Sequence, residues 1–247
     1  MKSNFGNNSP VLNLYNKSNL KSKIDTQLLY GDNFRVIKKN KRWKKIIITK
    51  DGYKGFIKNK KFPYPIKANF KVFILKANLY SKPSIKNKTS KYLSFNSRLN
   101  IIEKKGKFGK FENYWIKLSD IKKVSHKNKN IFKNIKLFKN TRYLWGGKSF
   151  RGIDCSALVQ VFLNYNNKFF PRDSGDQEKY LTKKIKLKNL RKNDIIFWKG
   201  HVAVALSNRK IIHAYGPMKK VVIMDTKKAI ERIERTAKLK VTSIKRI

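Results

Sequence analysis

The sequence predicts two small all-β modules followed by a larger α+β domain. Three observations lead to this fold class. Short apolar runs separated by turn residues fill the region from 11 to about 62. Parts of that pattern return about 65 residues later. A run with helical periodicity, followed by strand-like segments, then occupies the C-terminal part of the chain.

The first module is predicted from strand-like runs rich in β-branched and aromatic residues. Two of these runs lie at 34–37 and 43–48, and a third lies at 53–57. Asp51-Gly52 supplies a tight turn before the third run. Strands this short, at this spacing, are typical of a small barrel.

The second module is predicted from echoes of the first. Asn13-Leu14-Tyr15-Asn16-Lys17 returns as Asn78-Leu79-Tyr80-Ser81-Lys82, and residues 54–58 are echoed at 113–117. Tandem copies of one β module account for both echoes, and chance similarity in a biased composition is the alternative. The predicted boundaries are 1–64 for the first module, 65–123 for the second, 124–134 for a linker with an exposed His126, and 135–247 for the α+β domain.

Composition limits the classes of protein to which the chain can belong. One cysteine among 247 residues excludes an intramolecular disulfide and, with three histidines, disfavours a structural zinc site. Lysine is spread over every segment, so the net charge of +47 is interpreted as compositional bias. A dedicated surface for nucleic acid is the alternative.

No membrane span and no export signal are expected. The apolar runs are shorter than the roughly 18–20 residues that a spanning helix needs. Asn7-Asn8-Ser9-Pro10 occupies the place where a secretory signal would be apolar. A cytoplasmic protein is therefore predicted, with export by an unrecognised route as the alternative.

A helix that carries the cysteine in its first turn is predicted over 155–166. One helical face is formed by four apolar residues: Leu158, Val161, Phe162 and Tyr165. Asp154 stands at the N-cap position, directly before Cys155. Because the amides and dipole of a helix N-terminus stabilise an anion, we expect a lowered thiol pKa. A small buried apolar cysteine is the alternative.

Two histidines follow on strand-like segments and are candidates for the base that a thiol requires. His201 begins one segment, His213 lies in the next, and Ser207-Asn208-Arg209 supplies the turn between them. A two-residue turn on Asn208-Arg209 would place the histidines on opposite faces of the hairpin. A three-residue loop centred on Ser207, or a bulge, would place them side by side, and we predict one of these.

With these residues, the region 135–247 resembles the NlpC-type cysteine peptidases of bacterial cell-wall metabolism, which have a papain-like α+β fold. The matching residues are Tyr143, Trp145-Gly146-Gly147, Asp154-Cys155-Ser156, Pro171-Arg172-Asp173-Ser174, Gln177, 190–198, His201-Val202 and His213-Ala214. SH3-like modules precede such a domain in known members. The resemblance therefore implies two bacterial SH3-like barrels followed by a papain-like domain.

The resemblance implies a catalytic role for three residues and a supporting role for a fourth. Cys155 would attack the peptide carbonyl, and His201 would take the thiol proton. His213 would orient His201, as the third member of a triad does. Tyr143 would line the site near the oxyanion.

The resemblance also implies residues that contact the substrate. In members that process free peptides, Ser156, Asp173 and Ser174 align with residues that hold the N-terminal amine, a task that suits a carboxylate. A turn or a helix cap is the alternative for Asp173. Arg172 either holds a substrate carboxylate or pairs with a neighbouring acid. Tyr53 is a further candidate for substrate binding.

Three departures from the family pattern leave the catalytic groups in place. Ala157 and Ala203 stand where the family usually has glycine, small changes that narrow the packing without touching the reacting atoms. Asn193 replaces a usual turn glycine, and asparagine tolerates left-handed backbone geometry.

The expected function is that of a cysteine-type endopeptidase. By resemblance it hydrolyses the bond between γ-D-glutamate and a diamino acid in peptidoglycan stem peptides, without a metal or organic cofactor. Recycling of imported muropeptides is expected, with the SH3-like modules restricting the enzyme to short peptides. The first alternative is a basic module that binds nucleic acid or anionic wall polymer, with an incidental cysteine. The second is a papain-like acyltransferase or amidase.

Overall fold

The structure, a computed structural model, describes residues 4–247. The chain divides into two compact units. One unit extends to His126 and also includes Lys148–Phe150, while the other comprises Lys127–Gly147 and Arg151–Ile247. The first unit is all-β and the second is α+β, as the sequence predicts for the two parts of the chain.

The N-terminal part of the first unit is a six-stranded antiparallel sheet in the order β1-β4-β5-β6-β2-β3. Its strands are β1 (Asn4–Gly6), β2 (Val11–Tyr15), β3 (Ile24–Leu29), β4 (Asn33–Lys39), β5 (Trp43–Ile48) and β6 (Lys54–Lys58). The three predicted runs correspond to β4, β5 and β6. Apolar residues from β2 to β6 form one core cluster: Leu14, Leu28, Phe34, Ile46, Ile48 and Ile57.

The following segment forms a three-stranded and a five-stranded sheet, in the orders β10-β7-β14 and β11-β12-β13-β8-β9. Its strands are β7 (Phe70–Val72), β8 (Lys76–Tyr80), β9 (Lys88–Ser94), β10 (Arg98–Leu99), β11 (Glu103–Lys105), β12 (Phe108–Phe111), β13 (Tyr114–Lys117) and β14 (Ile121–Lys123). A separate apolar cluster, which includes Leu79, Leu93 and Ile116, fills this part. The two sets of strands therefore have their own cores within one unit.

The two echoes seen in the sequence fall on corresponding strands. The first echo is β2 in one part and β8 in the other, and the second is β6 and β13. In each part the two strands are hydrogen-bonded neighbours, with Tyr15 opposite Phe56 and Tyr80 opposite Trp115. Chance similarity does not explain why both echoes occupy matching places in the sheets.

The boundary between the two units lies between His126 and Lys127, inside the predicted linker 124–134. On the first side, the Lys71 ammonium is buried and donates to the backbone carbonyls of Val124 and His126, at 2.9 and 2.6 Å. On the second side, Phe132 is buried and its ring packs against that of Phe162. The start of the segment therefore packs with the first unit, and its later part packs with the second. His126 is exposed, as predicted.

The second unit is built on a five-stranded antiparallel sheet in the order β20-β19-β18-β17-β21. Its elements are β17 (Ile195–Trp198), β18 (His201–Ala205), β19 (Lys210–Tyr215), β20 (Lys220–Asp225), β21 (Val241–Lys245), α1 (Cys155–Tyr165), α2 (Ser174–Tyr180) and α3 (Thr226–Ala237). The short strand β16 (Gly152–Ile153) precedes α1, and β15 (Lys148–Ser149), which belongs to the first unit, comes before it in the chain. Every residue of α1 is buried, not only the apolar face that the periodicity indicates.

The hairpin of β18 and β19 has the three-residue loop that the pairing of the histidines requires. Val204 pairs with Ile212, and the backbone N–H of Leu206 donates to the carbonyl of Lys210 at 2.8 Å. The loop is therefore residues 207–209, centred on Asn208. The predicted centre, Ser207, is wrong by one residue, but His201 and His213 share a face as predicted, since the loop length is still odd.

Two further features agree with the sequence. Asn193 has a φ of 75°, the left-handed geometry for which glycine is usual. Within residues 4–247, no helix combines the length and the apolar character that a membrane crossing requires.

Candidate active site

The helix α1 begins at Cys155, as the sequence predicts. Asp154 has extended backbone geometry, and its Oδ1 accepts from the backbone N–H of Ala157 at 2.8 Å. This N-cap places the thiol in the first turn of a buried helix. The backbone N–H groups of Val202 and Ser156 point to the sulfur, which locates Cys155 beside the start of β18.

Asp154 also anchors a buried ion pair. Its two carboxylate oxygens accept from Arg172 Nη1 and Nη2 at 3.0 and 2.6 Å. Oδ2 additionally accepts from the backbone N–H of Gly146 at 2.9 Å. Arg172 is 3 % exposed, so its guanidinium is inside the protein and occupied by an acid. Of the two predictions for Arg172, pairing with a neighbouring acid is observed, and binding of a substrate carboxylate stays a prediction.

The Ser156 hydroxyl belongs to the same network. It accepts from Arg172 Nη1 at 2.8 Å and lies 3.2 Å from Asp154 Oδ1, to which it can donate. Its backbone carbonyl accepts from the buried amide of Gln177 at 2.9 Å. The Ser156 hydroxyl thus has internal partners both as acceptor and as donor. Its predicted contact with the substrate amine stays a prediction.

The thiol is not pre-ionised, contrary to the expectation from its place in the helix. Burial raises the pKa of Cys155 to about 12, and the adjacent Asp154 carboxylate adds to the rise. The N–H groups of Val202 and Ser156 and the charge of Arg172 lower the same pKa without reversing it. Desolvation of the buried sulfur therefore outweighs the effect of the helix terminus on the Cys155 pKa, and the sequence pattern cannot show this.

The two histidines are in direct contact. His201 Nε2 lies 2.8 Å from His213 Nδ1, and the ring centroids are 5.1 Å apart. Tyr215 stacks on His213 with an interplanar angle of 18°, and Trp198 packs against His201. Aromatic rings thus hold both imidazoles in place, and the pairing that the hairpin hypothesis requires is present.

Both histidines are neutral at ordinary pH. Burial lowers the pKa of His201 to about 4. Burial, and then the proximity of His201, lower the pKa of His213 well below its usual value. With Nε2 of His201 engaged by His213, Nδ1 is the nitrogen that remains to accept a proton. A neutral thiol and a neutral imidazole therefore form the resting site.

Tyr143 is held next to the thiol by backbone pairing. It forms an isolated β-bridge with Ile153, two residues before Cys155, and its N–H donates to the carbonyl of Lys219 at 2.8 Å. Burial raises the pKa of Tyr143, and the charges of Cys155 and Asp154 act in the same direction. The phenol therefore stays protonated and can donate a hydrogen bond.

The remaining predicted substrate residues have different settings. Asp173 is exposed at the N-cap position of α2, and its carboxylate makes no capping hydrogen bond to the described part of that helix. Ser174 is half-buried at the start of α2. Tyr53 belongs to the first unit, where it packs against the core of the first sheet. Its role in substrate binding stays a prediction.

Sequence reasoning missed one neighbour of the site. The sulfur of Met224 lies 3.4 Å from Nε2 of His213. The only signal that could indicate it is strand alternation, since Met224 on β20 faces the same side as Val222, which pairs with His213.

Comparison with known proteins agrees with this architecture. Residues 140–237 match the NlpC/P60 family, and residues 14–62 match the bacterial dipeptidyl-peptidase SH3 domain. The C-terminal domain is therefore similar in sequence to the NlpC/P60 family. The resemblance seen in the sequence, both to this family and to bacterial SH3 modules, is confirmed.

Individual relatives extend over most of the chain. A γ-D-glutamyl-L-lysine dipeptidyl-peptidase of Bacillus subtilis is 29% identical over 215 residues, covering 77% of this chain and 72% of the relative. The protein of the same name from Bacillus cereus is 26% identical, covering 78% and 68%. The crystal structure of an NlpC/P60 family protein from Bacillus cereus superposes with a TM-score of 0.83 at 20% identity, covering 99% of each chain. At that identity the superposition supports the fold.

We predict that Arg172→Ala lowers the free energy of unfolding by about 3–5 kcal/mol, because it leaves the buried Asp154 carboxylate without its cation. Urea unfolding of the full chain measures the change. The matched control is Lys240→Ala, which removes an ion pair with Glu234 on the exposed surface of the same unit. This control is expected to change stability by less than about 1 kcal/mol. Equal effects of the two substitutions would show that the Asp154–Arg172 pair is not the anchor of the site.

Proposed function

We propose that the protein is a cysteine peptidase that hydrolyses the γ-D-glutamyl–diamino acid bond of peptidoglycan stem peptides. The observation that carries the proposal is that the Cys155 thiol lies beside the start of β18. His201 is the first residue of β18, and it contacts His213 on β19. The choice of bond is supported by the names of the two Bacillus relatives, which act on γ-D-glutamyl-L-lysine.

The geometry supports a proton transfer that accompanies attack. The Cys155 sulfur forms a bond to the scissile carbonyl carbon while its proton passes to Nδ1 of His201. The carbon–nitrogen bond then breaks, and the imidazolium returns the proton to the leaving amine of the diamino acid. Water, deprotonated by His201, then attacks the thioester carbonyl, and the carbon–sulfur bond breaks to release the γ-D-glutamyl product as a carboxylic acid. The imidazolium returns the proton to the departing Cys155 sulfur, which restores the neutral thiol and the neutral imidazole. His213 orients His201 throughout.

The neutral resting pair suits this sequence of steps. A buried thiolate would be poorly solvated before substrate binds, whereas charge that forms during attack is delocalised onto the carbonyl oxygen. The phenol of Tyr143, whose raised pKa keeps it protonated, is the proposed donor to that oxygen. The thiol therefore loses its proton when an acceptor for the negative charge is present.

The exposed carboxylate of Asp173 is the proposed contact for the free amine of the peptide. Its neighbour Arg172 is bound to Asp154, which directly precedes the nucleophile, so the chain brings Asp173 to the vicinity of Cys155. A carboxylate and an ammonium form a charge-assisted hydrogen bond. An enzyme with this contact removes dipeptides from the amino end and requires that end to be free.

We further infer that the first unit contains two SH3-like modules. Support comes from the family match at 14–62 and from the repeated pairing of β2 with β6 and of β8 with β13. A cytoplasmic location and a role in recycling short muropeptides complete the proposal. Fractionation of cells and the length of peptide accepted test these two points.

We predict that Cys155→Ala abolishes hydrolysis of L-Ala-γ-D-Glu-diamino acid peptides, with a loss of at least about 10³-fold, because no other group can form the thioester. Mass spectrometry of the products measures this and identifies the bond that is cleaved. Thermal unfolding of the variant controls for loss of fold.

The same assay separates the alternatives. A binding module would leave the wild type and Cys155→Ala equally inert while both retain polyanion at physiological salt. An acyltransferase would give transfer products with an added amine in place of the free dipeptide. Either result would reject the peptidase proposal.

We predict that the acid limb of kcat/KM lies near pH 4, well below the usual value of about 6.5 for histidine. His201 must be neutral to accept the thiol proton, and its lowered pKa keeps it neutral to about pH 4, so activity rises as the pH increases through that value. Cys155, His213, Tyr143, Asp154 and Arg172 are the titratable groups around the reaction. A limb between pH 6 and 7 would contradict a buried, neutral base.

We predict that Asp173→Asn raises KM for the free-amine peptide roughly tenfold to hundredfold with little change in kcat, since it removes a charge-assisted hydrogen bond. Asp176→Asn, which neutralises another exposed acid of α2, is the matched control and should leave KM unchanged. The N-acetylated peptide should be a poor substrate whose KM is insensitive to Asp173→Asn. Similar KM changes for both substitutions would point to a general charge effect.

A further inference from the structure

His213 contacts a different group at each of its ring nitrogens. Nδ1 lies 2.8 Å from Nε2 of His201, and Nε2 lies 3.4 Å from the sulfur of Met224. His213 is 0% exposed, so its one N–H must find its partner inside the protein. Which nitrogen carries the hydrogen is therefore decided by the two neighbouring side chains.

A thioether sulfur can accept a hydrogen bond but has no hydrogen to donate. The contact with Met224 is therefore favourable only if Nε2 of His213 carries the hydrogen. Nδ1 of His213 then presents its lone pair to His201. Nε2 of His201 must in turn carry the hydrogen, and Nδ1 of His201 is left with a lone pair.

The opposite arrangement of hydrogens would disable the base. If His213 carried its hydrogen on Nδ1, it would donate to Nε2 of His201, and the His201 hydrogen would move to Nδ1. That nitrogen could no longer accept the thiol proton. The lone pair of His213 Nε2 would also face the lone pairs of the Met224 sulfur, without any hydrogen between them.

We propose that Met224 is a positioning residue that fixes the tautomers of His213 and His201, so that Nδ1 of His201 is the free base. The inference rests on the proposed function, in which that nitrogen takes the proton of Cys155. Met224 contacts His213, and in this proposal it acts on the base through that residue.

The fold keeps Met224 at this position. On β20, Met224 pairs with Ile211, and Val222 pairs with His213 two residues along the same face. Asp225, the next residue, caps α3 by accepting from the backbone N–H of Lys228 at 3.1 Å. The end of the strand and the start of the helix thus hold the methionine from both sides.

The test compares Met224→Leu with Met224→Gln, using Met218→Leu as the matched control. Leucine keeps the apolar volume but lacks an acceptor, whereas the glutamine side-chain oxygen restores one. Met218 is the other described methionine of the same unit and lies in the turn between β19 and β20. Each protein is labelled with ¹⁵N-histidine, and His126→Gln simplifies the assignment.

Histidine ¹⁵N spectra report directly which ring nitrogen carries the hydrogen. In the wild type and in Met218→Leu, both buried histidines should be protonated at Nε2 and bare at Nδ1. In Met224→Leu, protonation should shift toward Nδ1, because a buried N–H at Nε2 of His213 would have no acceptor. The kcat should then fall roughly tenfold with KM nearly unchanged, and Met224→Gln should recover most of the loss.

Two results would overturn the inference. One is a wild-type spectrum that shows the hydrogen on Nδ1 of His213. This result requires no variant, so it is informative even if Met224→Leu fails to fold. The other is a Met224→Leu spectrum identical to that of the wild type. Because the spectra are recorded without substrate, they decide the role of Met224 even if the protein does not cleave the proposed peptide.

Discussion

The buried ion pair of Asp154 and Arg172 is the interaction on which the site depends. One carboxylate caps α1 through Ala157, fixes the preceding loop through Gly146 and binds the guanidinium with both oxygens. The direction of α1, and therefore the position of Cys155, follows from these contacts. The pair also has an electrostatic effect. The Asp154 charge raises the pKa of Cys155 and Arg172 lowers it, so the cation limits the penalty that the cap imposes on the nucleophile.

The reactivity of the thiol illustrates how two general effects compete. A helix N-terminus carries a partial positive charge of roughly half an elementary charge, and this partial charge stabilises a thiolate. Complete burial removes the solvation of a full charge. At Cys155 the second effect is larger. The raised pKa of Cys155 therefore favours a neutral thiol at rest. In the proposed mechanism, negative charge develops only when the sulfur bonds to the carbonyl carbon.

Local sequence patterns correctly predicted the features that depend only on residues close together in the chain. The three runs that became β4, β5 and β6, the N-cap at Asp154 and the shared face of His201 and His213 all follow from periodicity and turn length. Features that depend on distant partners could not be obtained in this way. Whether Arg172 meets a substrate or Asp154, 18 residues away, depends on tertiary packing. The exclusion of water that raises the Cys155 pKa is likewise a property of the assembled domain.

The order of strands in the sheet of the second unit explains the order in which Met224, His213 and His201 contact one another. β20, β19 and β18 are consecutive neighbours, and they carry Met224, His213 and His201 respectively. Because side chains on one face of adjacent strands meet, Met224, His213 and His201 form a single line of contacts across the sheet. The line ends at the Met224 sulfur, which can only accept a hydrogen bond. Each histidine in the line therefore donates its hydrogen bond toward Met224. In the proposed arrangement, the ring nitrogen of His201 that is free to accept a proton is therefore determined by the strand order and by the thioether of Met224.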